Sequence, residues 1–297
     1  MLKKDFISLA DFSKSDLDNI IKLALKLKKR PFNKKLNNKQ IALIFQKNST
    51  RTRVSFEVGI NQMGGKAIIL NSSEMQLGRG ETISDTAKVL SRYLDAIMIR
   101  ANEHNDLIEL AKHASIPVIN GLTNFNHPCQ ILADLLTLYE KKGNITKQKI
   151  CYIGDGNNIC NSWLNAADKF KFKISLALKK GYYPDKILLD NLKKQNLVEI
   201  YSNPKLAAKN SDLITTDCFV SMGDKNAKAR LATFKDFKIN KEIMQQAKKD
   251  ALFMHCLPAH RGEEVDAEII DGKQSVVFDE AENRLHIQKA IMSFLIK

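Results

Sequence analysis

Cysteine is scarce in this sequence, and no two cysteines form a CxxC pair. The five positions are Cys129, Cys151, Cys160, Cys218 and Cys256. An odd, scattered set of this kind is typical of reduced thiols in a cytoplasmic protein and argues against a structural zinc site. Long apolar runs are also missing, since none approaches the roughly 18 residues of a membrane helix. The first 20 residues lack the apolar core of a secretory signal. We therefore expect a cytoplasmic protein without a membrane span.

Acidic residues are fewer than basic ones. The 297 residues include 47 Lys and Arg but 33 Asp and Glu, which gives a net charge of +14. An anionic partner is one interpretation of this excess. However, the lysines are spread along the chain and no basic stripe alternates with aromatic residues, so a solvated surface is favoured over nucleic-acid binding. The composition, 44% hydrophobic and 27% charged, is that of a globular protein long enough for two domains.

Short apolar runs alternate with longer helical patterns in the first half of the chain. The predicted strands are 40–45, 66–70, 95–100 and 116–120. Helical patterns such as "RVSFEVGINQM" and "ISDTAKVLSRYL" lie between them. This alternation predicts βαβ units and a parallel sheet.

A helical pattern over 128–143 separates this series from a second one. Its apolar residues recur at helical spacing, and Gly143 is a plausible stop. The predicted strands that follow are 149–154, 173–178, 197–201, 212–216, 251–255 and 275–278. Residues 281–297 predict a terminal helix with one apolar side. The sequence thus predicts an α/β protein of two domains, each with a parallel sheet flanked by helices.

Polar residues follow the first strand at the point where parallel sheets bind ligands. The segment "KNSTRTR" contains Ser49, a natural N-cap, followed by Thr50, Arg51, Thr52 and Arg53. An ordinary cap with surface arginines needs only one hydroxyl. Three hydroxyls and two arginines at a helix start instead indicate an oxyanion or phosphate site. The segment lacks the GxxxxGK[ST] pattern of a Walker A loop.

Other strand ends also carry polar residues. Arg100 ends the strand 95–100 and is either a surface residue or a second clamp on the same anion. His127 and Gln130 flank Pro128, which suits the first position of a helix. A histidine there is either structural or catalytic. Asp217 follows the strand 212–216 and supplies an acid at its exit.

Two further segments partly match known patterns, one for a dinucleotide site and the other for a metal site or a nucleophile, but neither match is complete. In "GDGNNI" the third position of a dinucleotide motif is Ile159, and the next strand ends in "LKKG" without an acid. A nicotinamide site is therefore not expected. Cys256 with His255 and His260 could suggest a nucleophile or a metal, but neighbouring strand residues point to opposite faces. We expect neither a metal nor a cofactor at the site.

Seven segments together resemble the aspartate/ornithine carbamoyltransferase family, and within it the members that act on ornithine. In chain order they are "FQKNSTRTRVSFEVG", "QLGRGETISDTAKVLSRYLDAIMIR", "NHPCQILADLLTLYE", "GDGNN", "TDCFVSMGD", "FMHCLPAHRGEEV" and "ENRLHIQKA". The resemblance runs from about residue 5 to the C-terminus. The S-T-R-T, H-P-x-Q and H-C-L-P elements are highly specific in combination. Members that act on aspartate typically have proline where Cys256 stands.

The resemblance implies a carbamoyl phosphate-binding domain, residues 1–135 plus 283–297, and an ornithine-binding domain, residues 136–282. Two long helices would join them. It also implies a homotrimer or a multiple of trimers, in which Gln76 reaches into the site of a neighbouring subunit. One residue departs from the family pattern, because Phe219 stands where tryptophan is frequent. An aromatic ring is retained there.

The resemblance also assigns site residues. Those for carbamoyl phosphate are Ser49, Thr50, Arg51, Thr52, Gln76, Arg100, His127, Gln130, Cys256, Leu257 and Arg284, of which Arg51, Arg100, His127 and Cys256 would be catalytic. Those for ornithine are Asn158, Asp217, Ser221 and Met222. Cys256 is expected to orient a substrate rather than to attack it.

The implied reaction is transfer of the carbamoyl group from carbamoyl phosphate to the δ-amine of L-ornithine, giving L-citrulline and phosphate. Carbamoyltransferases for putrescine, aspartate or acetylornithine are the nearest alternatives. Asp217 favours ornithine, because a diamine or an acylated amine needs no acid for an α-ammonium. The sequence leaves open whether the reaction serves arginine synthesis or citrulline breakdown.

Overall fold

Strands and helices alternate along the chain. The computed structural model describes residues 3–76, 80–220 and 226–297. The strands are β1 (Gln40–Phe45), β2 (Lys66–Asn71), β3 (Ala96–Arg100), β4 (Val118–Leu122), β5 (Lys149–Gly154), β6 (Lys173–Leu178), β7 (Val198–Tyr201), β8 (Leu213–Thr216) and β9 (Leu252–His255). The helices are α1 (Lys14–Lys29), α2 (Thr50–Gln62), α3 (Ile83–Leu90), α4 (His104–His113), α5 (Pro128–Lys142), α6 (Asn158–Phe170), α7 (Lys186–Lys194), α8 (Pro204–Ala208), α9 (Ala227–Phe234), α10 (Lys241–Met244), α11 (Ala267–Ile270) and α12 (Val277–Leu295).

The chain divides into two units. The first comprises Met1–Leu136 and Glu282–Lys297, and the second comprises Thr137–Ala281. Both boundaries fall inside helices, one in α5 and the other in α12. Helix α5 begins at Pro128, and Gly143, with φ of +75°, follows its last residue. Proline at a helix start and glycine just past its end are the residues that these two positions favour.

The first unit contains a parallel sheet with the strand order β2-β1-β3-β4. Strand β1 lies at its centre, and its side chains from Ile41 to Ile44 are fully buried. Strands on either side of β1 end together, because Phe45 is level with Asn71 of β2 and with Arg100 of β3. The chain passes from β1 to β2 on one side and then to β3 on the other. The ends of β1 and β3 therefore flank a topological switch point, where open parallel sheets bind ligands.

The second unit contains a parallel sheet with the strand order β7-β6-β5-β8-β9. Strands β5, β6 and β7 run to one side and β8 and β9 to the other, so the switch point lies between β5 and β8. One face of the sheet is covered by an aromatic cluster in which Phe219 stacks on Phe234 at a centroid distance of 5.0 Å. Elsewhere Trp163 of α6 packs edge-on against Phe172 at 6.2 Å. The predicted α/β class with two parallel sheets is confirmed.

The predicted strand at 275–278 is wrong. Only Ser275 pairs, in a single bridge to Phe253, and α12 begins at Val277. The carbonyl of Val276 accepts the N–H of Glu280, so the valines cap and enter the helix rather than a sheet. Acidic residues in the first turn of α12 favour a helix start at this point.

Strand β4 and helix α12 also differ from the sequence prediction. Strand β4 covers Val118–Leu122 instead of 116–120, and at its start the N–H of Val118 donates to the carboxylate of Asp5. Helix α12 is buried on more than one side. Lys289 is fully buried, and its Nζ donates to the carbonyl of Pro31 and to Oε1 of Gln62 at 2.8 Å. Burial lowers the pKa of Lys289 from 10.5 to about 8.

Within the described ranges, no helix combines the length and the apolar character needed to cross a bilayer.

Candidate functional site

The first helix after β1 starts with a side-chain cap. Ser49 has an extended backbone, and its Oγ accepts the N–H of Thr52 at 3.2 Å. The predicted N-cap is therefore confirmed. The first turn of a helix has N–H groups without intrahelical acceptors and carries partial positive charge. Because α2 follows β1 at the switch point, this positive end lies beside the carboxyl end of the sheet.

Two arginines converge on a single hydroxyl in that first turn. Thr52 is fully buried, and its Oγ1 accepts from Nη2 of Arg284 at 2.8 Å and from Nη1 of Arg100 at 3.4 Å. Arg284 comes from α12, far along the chain, and is itself 3% exposed. A hydroxyl has two lone pairs and one proton. With both lone pairs engaged, the O–H of Thr52 is left to donate.

Arg51 is positioned beside this cluster by the same helix start. The residue is half-buried, and its Nε is buried without a hydrogen-bond partner among the described residues. A buried guanidinium N–H without an acceptor is costly unless a ligand completes it. Arg51 thus adds a donor with unused capacity to the positive helix end. Thr50, at the first helical position, is exposed.

His127 precedes α5 and is 3% exposed. Burial, together with the charges of Arg284 and Arg100, lowers the pKa of His127 well below its ordinary value. The ring is therefore neutral at pH 7. Gln130, one turn into α5, donates its Nε2 to Oδ1 of Asp134 at 2.8 Å, which fixes its amide. The sequence prediction brought His127 and Gln130 to this helix start, and the structure places both there.

In the second unit, three neighbouring strands end in polar residues. Strand β5 leads into Asn157, β8 into Asp217 and β9 into Cys256. The turn after β5 runs close to other backbone, since a Cβ on Gly156 would lie 2.2 Å from the nitrogen of Pro184. Thr216 is level with His255 in the β8–β9 pair, so the last two exits are side by side. These residues surround the switch point of this sheet.

Asp217 accepts hydrogen bonds on both carboxylate oxygens. Its Oδ2 accepts Nδ2 of Asn157 at 2.7 Å, and its Oδ1 accepts the N–H of Cys218 at 2.8 Å and the thiol of Cys256 at 3.1 Å. All three donors are neutral. Among the described residues no basic side chain forms an ion pair with Asp217, so its charge is available to a cationic ligand.

Asn157 is held in one orientation. Its Oδ1 caps α6 by accepting the N–H groups of Ile159 and Cys160, and it also accepts the hydroxyl of Tyr152 at 3.2 Å. The amide nitrogen therefore has to face Asp217. Sequence reasoning assigned the neighbouring Asn158 to ornithine and did not identify Asn157, which contacts Asp217. The available signal was the capping position of Asn157 before α6.

Cys256 is a protonated thiol at neutral pH. Burial first, and then the charge of Asp217, raise the pKa of Cys256 well above its ordinary value. A thiol of this kind is a poor nucleophile. The next residue, Leu257, has φ of +56°, and its N–H donates to Nδ1 of His255 at 2.9 Å. Cys256 and His255 thus contact different groups, as expected for successive residues at a strand end.

The segment after Asp217 is anchored from a second helix. Arg230 of α9 donates to the carbonyl of Phe219 at 2.7 Å and pairs with Asp155 at 2.5 Å. Phe219 is 1% exposed within the aromatic cluster, so the ring that replaces tryptophan is a packed core residue. Sequence reasoning did not identify Arg230 or Asp155.

Four predicted site residues remain, and the structure describes two of them. Gln76 is exposed, and Leu257 belongs to the second unit. Ser221 and Met222 lie outside the described residues.

Comparison with known proteins identifies related chains. Residues 4–140 match the family model described as "Aspartate/ornithine carbamoyltransferase, carbamoyl-P binding domain", and residues 146–295 match its "Asp/Orn binding domain". The ornithine carbamoyltransferase of Nitrobacter winogradskyi is 50% identical over 299 residues, which cover 99% of this chain and 97% of that protein.

Solved structures of ornithine carbamoyltransferases have a similar fold. The ornithine carbamoyltransferase of Pyrococcus furiosus is 45% identical with a TM-score of 0.94, covering 99% of this chain and 97% of that one. The anabolic ornithine carbamoyltransferase of Campylobacter jejuni is 42% identical with a TM-score of 0.93, covering 98% of each. With both units matched, the chain belongs to the aspartate/ornithine carbamoyltransferase family.

Proposed function

We propose that this carbamoyltransferase is an ornithine carbamoyltransferase, which transfers the carbamoyl group of carbamoyl phosphate to the δ-amine of L-ornithine. The products are L-citrulline and phosphate. The observation that carries the choice of ornithine is Asp217, a carboxylate at a sheet switch point whose hydrogen-bond donors among the described residues are neutral. Sequence identity of about half to ornithine carbamoyltransferases supports the same choice.

The phosphate of the donor would bind at the start of α2, in the domain formed by residues 1–135 and 283–297. Ser49, Thr50, Arg51 and Thr52 supply the helix end, and Arg100 adds a guanidinium. The buried Nε of Arg51 supports this assignment, because an anion there would satisfy it. Helix dipole and guanidinium charge together favour a dianionic group.

The carbamoyl group would lie beside His127 and Gln130. A neutral imidazole can donate one N–H to the carbonyl oxygen, and Arg100 and the O–H of Thr52 can add donors. Negative charge develops on that oxygen in the tetrahedral intermediate. Donors fixed before the reaction stabilise this charge without reorganising. Arg284, held on Thr52, contributes positive charge, and Cys256 and Leu257 would close on the substrates.

Ornithine would bind in the domain of residues 136–282. Asp217 would pair with its α-ammonium, and Asn158, Ser221 and Met222 would complete the contacts. Asn157 and Cys256 act on Asp217 itself, since both donate to its oxygens. Fixing the α-ammonium at this carboxylate determines that the δ-nitrogen is the one directed at the carbonyl.

The chemical step requires an uncharged amine. Proximity to guanidinium groups and removal from water lower the pKa of the δ-ammonium, because both disfavour the cation. The nitrogen attacks the carbonyl carbon, a C–N bond forms, and the C–O bond to phosphate breaks. The departing phosphate takes the proton released by the amine, so no side-chain base is needed. Positioning and charge stabilisation supply most of the rate enhancement.

The assembly and setting belong to the same proposal. We expect a homotrimer or a multiple of trimers, in which Gln76 reaches the site of a neighbouring subunit, and its exposed position fits that role. A cytoplasmic enzyme of arginine synthesis is the setting we favour. The anabolic relative from Campylobacter jejuni supports the direction, and five cysteines without disulfides fit a reducing compartment. Light scattering on the purified chain measures the oligomer.

The test is a parallel measurement of carbamoyl transfer. Carbamoyl phosphate is offered with ornithine, putrescine, aspartate or acetylornithine, and the ureido product and phosphate are both quantified. Ornithine should have a kcat/KM at least about tenfold higher than any other amine, the scale of one charge-assisted hydrogen bond. A higher value for any of the other three would refute the proposal.

A further inference from the structure

A buried carboxylate oxygen without a donor lies in the loop that follows β9. Glu264 is fully buried. Its Oε1 accepts the backbone N–H of His260 at 2.6 Å and lies 3.2 Å from Nε2 of His255. Its Oε2 is buried and has no hydrogen-bond partner among the described residues. An ionised oxygen in this situation needs a positive group, since burial of an unpaired charge is strongly unfavourable.

His255 does not supply that positive charge. Its Nδ1 accepts the N–H of Leu257 at 2.9 Å, so the ring carries its proton on Nε2, where it faces Glu264. This arrangement is the neutral tautomer. His255 therefore directs its one N–H at Oε1 of Glu264 and leaves Oε2 without a donor.

Two partly exposed side chains, those of His260 and Glu263, lie near Oε2 of Glu264. Nδ1 of His260 lies 3.6 Å from Oε2 of Glu264 and 4.0 Å from Oε2 of Glu263. The first distance is too long for a hydrogen bond. One ligand atom from each of the three residues falls within 4.8 Å of the others. An imidazole nitrogen and two carboxylates are a donor set for first-row divalent metals.

We propose that Glu264, His260 and Glu263 form a binding site for a divalent transition-metal ion such as Zn²⁺. Metal–ligand distances of about 2.0–2.2 Å require ligand atoms about 3.3–3.6 Å apart in a tetrahedron. The pair formed by His260 and Glu264 is already near this spacing. Glu263 must move inward, and its side chain is 40% exposed, so it has room to turn. Water would complete the coordination.

The site combines a fixed ligand, Glu264, with two ligands whose side chains can move, His260 and Glu263. Glu264 is anchored by its backbone, since its carbonyl accepts the N–H of Ile239 at 2.9 Å. The loop closes on itself, with the N–H of Gly262 donating to the carbonyl of Val265 at 2.8 Å. One immobile ligand and two that can adjust allow metal to bind without refolding the chain. The ion would lie outside the substrate contacts of Asp217 and Cys256, so this inference does not depend on the proposed function.

The experiment is titration of the chelator-treated full chain with Zn²⁺ by calorimetry, followed by Co²⁺ as a spectroscopic probe. His260→Ala and Glu263→Gln change only partly exposed side chains. Each should reduce the affinity of one Zn²⁺ equivalent at least about tenfold. The matched control is His113→Ala, because His113 pairs with Glu109 at 2.8 Å in another partly exposed His–Glu pair. This control should bind as the unmodified chain does.

Co²⁺ separates this site from the cysteines. Nitrogen and oxygen ligands should give ligand-field bands without thiolate charge transfer. A thiolate band, unchanged Zn²⁺ affinity in His260→Ala, or no binding by the unmodified chain would each overturn the inference. Circular dichroism on each variant confirms that the fold is intact, and Glu263→Gln provides the decisive comparison should His260→Ala unfold.

Discussion

Replacing Asp217 with asparagine tests the amino-acid site most directly. The change keeps the size of the side chain but removes its charge. If Asp217 holds the α-ammonium of ornithine, the variant loses a hydrogen bond between charged groups, which is worth about 1.5–3 kcal/mol. The kcat/KM for ornithine should therefore fall about 10- to 150-fold. Binding of carbamoyl phosphate to the free enzyme should change little, because Asp217 lies in the other unit.

The structure also predicts a loss of stability in Asp217→Asn. One oxygen of Asp217 accepts from Asn157 at 2.7 Å and the other from the N–H of Cys218 at 2.8 Å. An amide has one oxygen and one NH₂, so either orientation places two donors together. Asn157 cannot turn to relieve this, because its Oδ1 accepts from Ile159, Cys160 and Tyr152.

The donor–donor contact should lower the free energy of unfolding by about 1–3 kcal/mol. In a unit of this size, each kcal/mol lowers Tm by about 2–4 °C. The kcat/KM is measured by steady-state kinetics with each substrate varied. The affinity for carbamoyl phosphate is measured by equilibrium binding, and the change in Tm by calorimetry. Asp271→Asn is the control, since it breaks an exposed pair with Arg261 in the same unit and should leave the free energy of unfolding nearly unchanged. Equal losses for the two substrates would refute the division of roles.

Three further changes test other groups. Arg51→Met should lose about 2–4 kcal/mol of transition-state stabilisation, so kcat/KM should fall about 30- to 900-fold in steady-state kinetics. The variant of its exposed neighbour, Arg53→Met, should not show this loss, and near-normal activity in Arg51→Met would exclude Arg51 from the site. Cys256→Ser keeps a donor to Asp217 and should retain kcat within about tenfold; loss of nearly all turnover would instead indicate a nucleophile. Lys289 has a pKa of about 8 when folded and 10.5 when unfolded, so between these values only the unfolded chain binds the proton. Stability should then rise with pH across that range by at most about 3 kcal/mol, and an unchanged pH profile of melting in Lys289→Met would contradict this.

Residues at strand ends were the part of the site that sequence could predict. Apolar runs fix where a strand stops, and the rule for parallel sheets makes the next polar residue a ligand candidate. Arg100 and Asp217 became candidates this way, and Ser49 was recognised as a cap because capping depends on local chemistry. Each of these inferences uses information from a few neighbouring residues only.

Contacts between distant segments could not be predicted in the same way. Arg284 was assigned by family resemblance, and its hydrogen bond to Thr52 joins residues 232 positions apart. Asn157 and Asn158 are equivalent as a sequence pattern, and only the hydroxyl of Tyr152 and the cap of α6 decide which one turns to Asp217. No periodicity carries that information.

The misassigned strand at 275–278 shows the opposite limit. Two valines and a phenylalanine have high strand propensity, but propensity differences amount to about 1 kcal/mol. Val276 and Val277 are buried where they stand, at the start of α12. Burial of such side chains is worth about 1.5–3 kcal/mol each, so tertiary packing outweighs local preference. The same helix then carries Arg284 into the first unit.

The two sheets produce sites of opposite charge from the same architecture. In the first unit, α2 starts shortly after the switch-point strand β1, and the partial positive charge of its first turn adds to Arg51 and Arg100. In the second, Asn157 at the corresponding position uses its oxygen to cap the helix and its nitrogen to hold Asp217. Both helix starts are capped, so the two sites differ in the charged groups beside the caps, which are guanidinium groups in the first unit and the carboxylate of Asp217 in the second. A donor that carries a phosphate suits the first site, and an acceptor that carries an ammonium suits the second.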